Sequence, residues 1–161
     1  MSTIHAPERD AVALAGPPAR LLLIQAPYYD QVVGGMRRGA EAVCAGVGAT
    51  LDVVDVAGGY ELPAALRMAL LQQGTRYDGF LLLGCVVKGE TDHYAFICDA
   101  ICHGIMGISA ETGAAIGFGL LTVDTLQQAI ARSSDDKHNK GAEAMHALLM
   151  QVALRRRWGI Q

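Results

Sequence analysis

The sequence predicts an α/β domain in three layers, α/β/α, with a four-stranded parallel sheet between two layers of helices. Three observations lead there. Short apolar runs alternate four times with longer segments whose apolar residues recur at helical spacing. The runs are almost continuously apolar, as in strands covered on both faces, so the sheet is expected to be parallel. A length of 161 residues with 19 glycines and only three Phe and one Trp suits one core with many tight turns.

The elements follow in order. "RLLLIQA" (20–26) is too short for a buried helix and long enough for a strand. "YDQVVGGMRRGAEAVCAGVGA" (29–49) then places Val33, Met36, Ala40, Val43 and Cys44 on one helical face and ends in Gly46 and Gly48. "TLDVVDVAG" (50–58) is the second strand, and "LPAALRMALLQQG" (62–74) a second helix stopping at Gly74. "YDGFLLLGCVVKG" (77–89) is the most apolar run and is expected at the centre of the sheet. A third helix is expected from Thr91 to about Gly107, with Phe96, Ile97, Ala100, Ile101, Ile105 and Ile108 on its apolar face. "GAAIGFGLLTV" (113–123) is the fourth strand. Helices follow over "DTLQQAIAR" (124–132) and "NKGAEAMHALLMQVALRRRW" (139–158), joined by the polar "SSDDKH" (133–138). Residues 1–19, with Pro7, Pro17 and Pro18, are expected to form an extended arm, and residues 20–161 one domain.

Composition removes several function classes. A net charge of -3 gives no basic face for nucleic acid. Arg155, Arg156 and Arg157 close the last helix, where cations complement the carbonyl end of the dipole. No apolar run reaches the ~20 residues needed to cross a bilayer, and the first residues do not resemble a secretory signal. The four cysteines, Cys44, Cys85, Cys98 and Cys102, contain no C-x-x-C pair and are expected as reduced, buried thiols in a cytoplasmic protein. Cys98, Cys102 and His103 are the nearest thing to a metal cluster, but His103 points away from the face the two cysteines share, so no metal is expected. Walker, G-x-S-x-G, G-x-G-x-x-G and H-E-x-x-H motifs are absent.

In open parallel sheets ligands gather beyond the carboxyl ends of the strands. "APYYD" (26–30) offers Tyr28 and Tyr29 as aromatic faces for a flat ring. "AGGYELP" (57–63) pairs glycines that admit close backbone approach with Tyr60 and Glu61, and Pro63 suits a first helical turn. "VVKGETDHYAF" (86–96) is the most informative stretch. Gly89 turns the chain, Thr91 is expected as helix cap, the free amides of the first turn suit a phosphate, and His93 is a base beside it. Arg132, Lys137, His138 and Lys140 flank the polar joint and could complete an anion site.

Together these stretches resemble the lumazine synthase family. The likeness rests on "GYELPAAL" (59–66), "LGCVVKGETDHY" (83–94), "TG" (112–113), "FGLLTVDTLQQAIAR" (118–132) and "NKGAEA" (139–144), in order and at family-like spacing, within a match covering about residues 20–157. The resemblance implies a flavodoxin-like domain that condenses 5-amino-6-(D-ribitylamino)uracil with 3,4-dihydroxy-2-butanone 4-phosphate, using neither metal nor organic cofactor. The product is 6,7-dimethyl-8-ribityllumazine, a step of riboflavin biosynthesis. By matching position it implies that His93 moves the proton and that Glu90 and Thr91 supply phosphate-binding amides. Arg132 then pairs with that phosphate from a neighbouring subunit, and Phe118 is a wall from the same neighbour. Tyr28 stacks on the pyrimidine, Gly59, Tyr60 and Glu61 line the ribityl chain, and Cys85, Val86 and Val87 meet the uracil. Lys140 helps fix the ring or the local fold.

The family's sites lie between subunits of pentamers, which some members pair into decamers or build into sixty-subunit shells. The uninterrupted spacing from Arg132 to Asn139 favours the shell, and the arm is expected along a neighbour's sheet. Pro27, where the family often has a basic residue, departs from its pattern. The alternatives are a riboflavin- or lumazine-binding or shell-forming relative without turnover, and a generic flavin binder.

Overall fold

The computed structural model describes residues 11–74 and 76–160. The elements are β1 (Arg20–Gln25), a 3-10 turn (Pro27–Tyr29), α1 (Asp30–Gly46), β2 (Thr50–Asp55), α2 (Glu61–Leu71), β3 (Gly79–Val87), α3 (His93–Thr112), β4 (Ile116–Val123), α4 (Leu126–Ala131) and α5 (Lys140–Arg157). All four strands are parallel in the order β2-β1-β3-β4. The chain leaves β1 for one edge and returns past it to β3, so the switch point lies between β1 and β3.

Alternation of side chains divides the core in two. Leu21, Leu23, Leu81 and Leu83 turn to one face and pack with Val33 and Met36 of α1 and Met145, Leu148 and Leu149 of α5. Leu22, Ile24, Phe80 and Leu82 turn to the other, against Leu62 and Leu66 of α2 and Ile101 and Ile105 of α3. The first seven residues of β3 are buried, as its expected central place requires.

Several expected boundaries move. The second helix ends at Leu71 rather than Gly74, because Gln72 is already extended. The third runs past Gly104 and Gly107 to Thr112 and is closed by Gly113 in the left-handed region, φ +61°. Gly104 is a packing position against Pro63, not a stop. Of the apolar positions expected to face the core from this helix, only Ile101 and Ile105 are buried, and Phe96 is 67% exposed. Cys44 and Cys85 are buried as expected, whereas Cys98 and Cys102 are half-buried.

Arg156 does more than end α5. It donates to the carbonyls of Ala15 (2.7 Å) and Pro17 (2.9 Å) and meets Asp78 at 3.2 Å, holding residues 15–17 to this end of the domain. Arg155 donates to the carbonyl of Gly113. Residues 11–19 form no strand. Residues 1–10 of the expected arm, Pro7 included, lie outside the described residues.

Asn139 joins α1, α5 and the joint between α4 and α5. Its Oδ1 caps α5, accepting from the amides of Gly141 (2.9 Å) and Ala142 (3.0 Å). Its Nδ2 donates to the carbonyls of Gly35 (3.0 Å), Ser133 (3.1 Å) and Ser134 (2.9 Å). The side chain fits because α1 and α5 touch at backbone level: a Cβ on Gly141 would overlap the carbonyl of Met36. Losing a cap and leaving buried carbonyls unpaired together cost about 3 kcal/mol. Asn139→Ala is therefore expected to lower unfolding stability by that amount, read from the urea midpoint at constant m-value.

Candidate active site

The carboxyl ends of the strands carry the candidate residues on four loops. After β1 the chain enters its 3-10 turn, with Pro27 in the first turn, where its fixed φ is suitable. Tyr28 is 78% exposed. It stands edge-on to Tyr29, ring centroids 5.1 Å apart at 70°. Gln25 and Asp55, the last paired residues of β1 and β2, are joined by a 2.8 Å hydrogen bond from the Gln25 amide. That bond sets the two loops side by side.

In the loop after β2, Gly59 lies flat on α3. A Cβ there would stand 2.5 Å from Ile101 Cδ1, so a larger residue would have to push that side chain aside. The next residue, Tyr60, thereby meets His93, with ring centroids 5.9 Å apart at 65°. Glu61 opens α2 as its first helical residue, a favourable place for a carboxylate.

The start of α3 corrects one expectation. Thr91 is not the cap: Glu90 and Thr91 form an exposed bend, and Asp92 holds the cap position. Asp92 is already near-helical (φ -68°, ψ -6°), which directs its side chain away from the capping geometry, and no side chain caps the helix. The first turn is thus open, with His93 as its first residue. Tyr94, which the sequence reading passed over, is half-buried in this turn, and burial pushes its phenol's pKa up.

The floor comes from β3. Cys85 is buried, and burial pushes its thiol up to about 11, so the sulfur is uncharged at neutral pH and unsuited to act as a nucleophile. Val86 and Val87 are half-buried at the strand end. Phe118, on β4, is half-buried beside the core on the α2–α3 face. Cys98 and Cys102 lie on α3 with His103, whose Nδ1 is 3.0 Å from Asp99. Among the described residues no three His, Cys, Asp or Glu side chains group as metal ligands, and no helix is long and apolar enough to cross a membrane.

The remaining candidates lie around the α4–α5 joint. Arg132 donates from its guanidinium to the carbonyl of Gln128 at 2.8 Å, and its own carbonyl accepts from the Lys140 amide, also at 2.8 Å. Lys140 Nζ lies 2.5 Å from Glu143, a partner readable from i,i+3 spacing but not singled out from the sequence. The fold therefore brings Gly59, Tyr60, Glu61 and His93 together beside the Cys85–Val87 strand end. Among the described residues no hydrogen bond, ion pair or ring contact joins Arg132, Lys140 or Phe118 to His93.

Comparison with known proteins agrees with this architecture. The family model described as 6,7-dimethyl-8-ribityllumazine synthase matches residues 18–156. A protein of that name from Nitrobacter winogradskyi is 38% identical over 156 residues, covering 95% of this chain and 94% of its own. That of Paramagnetospirillum magneticum is 40% identical over 147 residues, covering 88% and 98%, and that of Bartonella bacilliformis 37% over 139 residues, covering 86% and 91%. With its parallel α/β fold, its open α3 start beside a histidine and a match from residue 18 to 156, the chain belongs to the 6,7-dimethyl-8-ribityllumazine synthase family.

Proposed function

We propose that the protein condenses 5-amino-6-(D-ribitylamino)uracil with 3,4-dihydroxy-2-butanone 4-phosphate, releasing 6,7-dimethyl-8-ribityllumazine, phosphate and water. The observation that carries the reading is the uncapped first turn of α3 with His93 in it, in a chain of this family. An uncapped turn presents amides to an anion, and the imidazole beside it can take or give the proton that moves as phosphate leaves. The amine of the first substrate attacks the ketone to give an imine, phosphate is eliminated, and the ring closes.

The substrates are placed by the surrounding loops. Glu90 and Thr91 supply amides to the phosphate, and Arg132 of an adjoining chain pairs with its charge. Tyr28 stacks on the pyrimidine, and Gly59, Tyr60 and Glu61 line the ribityl chain. Cys85, Val86 and Val87 form the wall that meets the uracil, the first through its backbone. Phe118 closes the site from the neighbour, and Lys140, paired with Glu143, steadies the joint beside it. The protein works as a homo-oligomer, a pentamer or a decamer or sixty-subunit shell built from pentamers. It acts in the cytoplasm, where the free cysteines stay reduced.

The test is to mix the protein with both substrates and follow lumazine absorbance and phosphate release. His93→Ala should lower kcat by about 10²-fold, the lower range for loss of a general acid–base. Arg132→Ala should instead raise KM for the phosphorylated substrate by about tenfold, the loss of one charge-assisted pair. No turnover by wild-type protein would overturn the reading.

A shared site makes a second prediction. Two impaired variants, His93→Ala and Arg132→Ala, refolded together at equal amounts and assayed well below KM for the phosphorylated substrate, should exceed the average of their separate activities, because roughly a quarter of the sites in a randomly mixed ring hold both native residues. Activity that stays at the average of the separate variants would place His93 and Arg132 in one subunit's site.

A further inference from the structure

We propose that Tyr60 is a positioning residue for His93, fixing the direction of the imidazole through ring contact rather than through its hydroxyl. This rests on the synthase reading and assigns Tyr60 a role beyond lining the ribityl chain. The two residues come from different elements, Tyr60 from the end of the β2–α2 loop and His93 from the first residue of α3, and their rings meet at 5.9 Å and 65°. That is edge-to-face geometry, the favoured arrangement of aromatic pairs.

Three further observations make the contact directive. Among the described residues, the structure gives the His93 imidazole neither a hydrogen bond nor an ion pair. An exposed side chain in that condition samples several rotamers, and only some present a ring nitrogen to a group bound at the helix start. The Tyr60 ring restricts that freedom without occupying either nitrogen. Second, the tyrosine is itself held. Gly59 is seated on Ile97 and Ile101 of α3, so the loop rides on the helix that carries the histidine, and the two rings move as a unit. Third, the next residue, Tyr94, is half-buried, so the backbone beneath His93 is held by packing and the side-chain torsions are the freedom that remains. Tyr60 Oη has no hydrogen bond among the described residues, so the ring carries the effect.

The experiment compares steady-state kinetics of the assembled wild-type protein, Tyr60→Leu and Tyr60→Phe with both substrates. Aromatic pair energies translate into a fall in kcat of about three- to tenfold for Tyr60→Leu, with KM for the ribitylaminouracil changing less than kcat. Tyr60→Phe should recover most of the loss. On a His93→Ala background, Tyr60→Leu should cost nothing further, since the ring acts through the imidazole. The proposal is overturned if Tyr60→Leu raises KM and spares kcat, if Tyr60→Phe is as poor as Tyr60→Leu, or if the loss persists without His93. An independent readout is the proton NMR spectrum of the His93 imidazole. Removing the Tyr60 ring should shift its resonances, and unchanged resonances overturn the contact. Should wild-type protein show no turnover, the synthase reading falls, and this spectrum alone decides whether Tyr60 orients His93. Light scattering confirms that each variant assembles, and Tyr60→Met replaces Tyr60→Leu if the latter does not.

Discussion

The shape of the joint that carries Arg132 and Lys140 depends on one buried amide. Asn139, 2% exposed, accepts two backbone amides with its oxygen and serves three carbonyls with its nitrogen. An amide nitrogen has two protons, so with three acceptors one proton is shared. No other side chain of this size does both jobs. Aspartate would cap α5 but would face three carbonyls with no donor, and glutamine would need another methylene where α1 and α5 already touch through Gly141 and Met36. The joint it ties carries Arg132 on one side and Lys140 on the other, and a backbone hydrogen bond from Lys140 to Arg132 closes it. The direction in which both cations leave the domain is thereby set by packing in its interior.

A second constraint comes from what one chain leaves uncovered. Helix α3 is apolar over much of its circumference, yet only Ile101 and Ile105 are fully buried, with Ile97 and Ile108 partly buried against the same core. Phe96 and Met106 stay exposed on it, and Met68 and Leu71 on the adjacent α2. Apolar surface of this kind, on two helices packed side by side, is the mark of an interface between proteins. It sits on the same helix whose first turn carries His93. A neighbour covering α3 would border the candidate site, as the proposal that Arg132 acts across a subunit boundary requires. Heterologous contacts of that type close into rings.

Much of this was legible in the sequence because the signals were local. Four apolar runs and their helical partners located the four strands and five α-helices found among the described residues, since buried parallel strands read as continuous apolar stretches. The helix ends were less legible. Glycine inside a helical pattern has two meanings, a stop or a close contact, and only the tertiary partner separates Gly113 from Gly104. The periodicity of α3 found Ile97, Ile101, Ile105 and Ile108, which pack on the core, but it also took in Phe96, which stays exposed, because spacing shows which residues share a side and not how wide the covered stripe is. Within the site, His93 and the loop at 59–61 stood out because residue types changed abruptly at strand ends. The Tyr60–His93 contact did not, because it joins elements far apart in sequence.

The arrangement separates rigid from adjustable parts in a way that bears on mechanism. Cys85 lies at the end of the most buried strand, with a thiol that burial keeps protonated well past neutrality, so this wall offers shape and backbone groups rather than reactivity. His93 is exposed on a helix end, and both of its nitrogens remain open to whatever binds there. Covalent participation by the protein is not required by such a layout. Under the proposed reaction, the fold would supply a fixed wall, an uncapped helix start for an anion and a base steered by a neighbouring ring around two small molecules. Holding two reactants in register can be worth effective molarities of about 10⁵ M or more. In a site built this way the loops that set distance and direction matter as much to the rate as the residue that moves the proton.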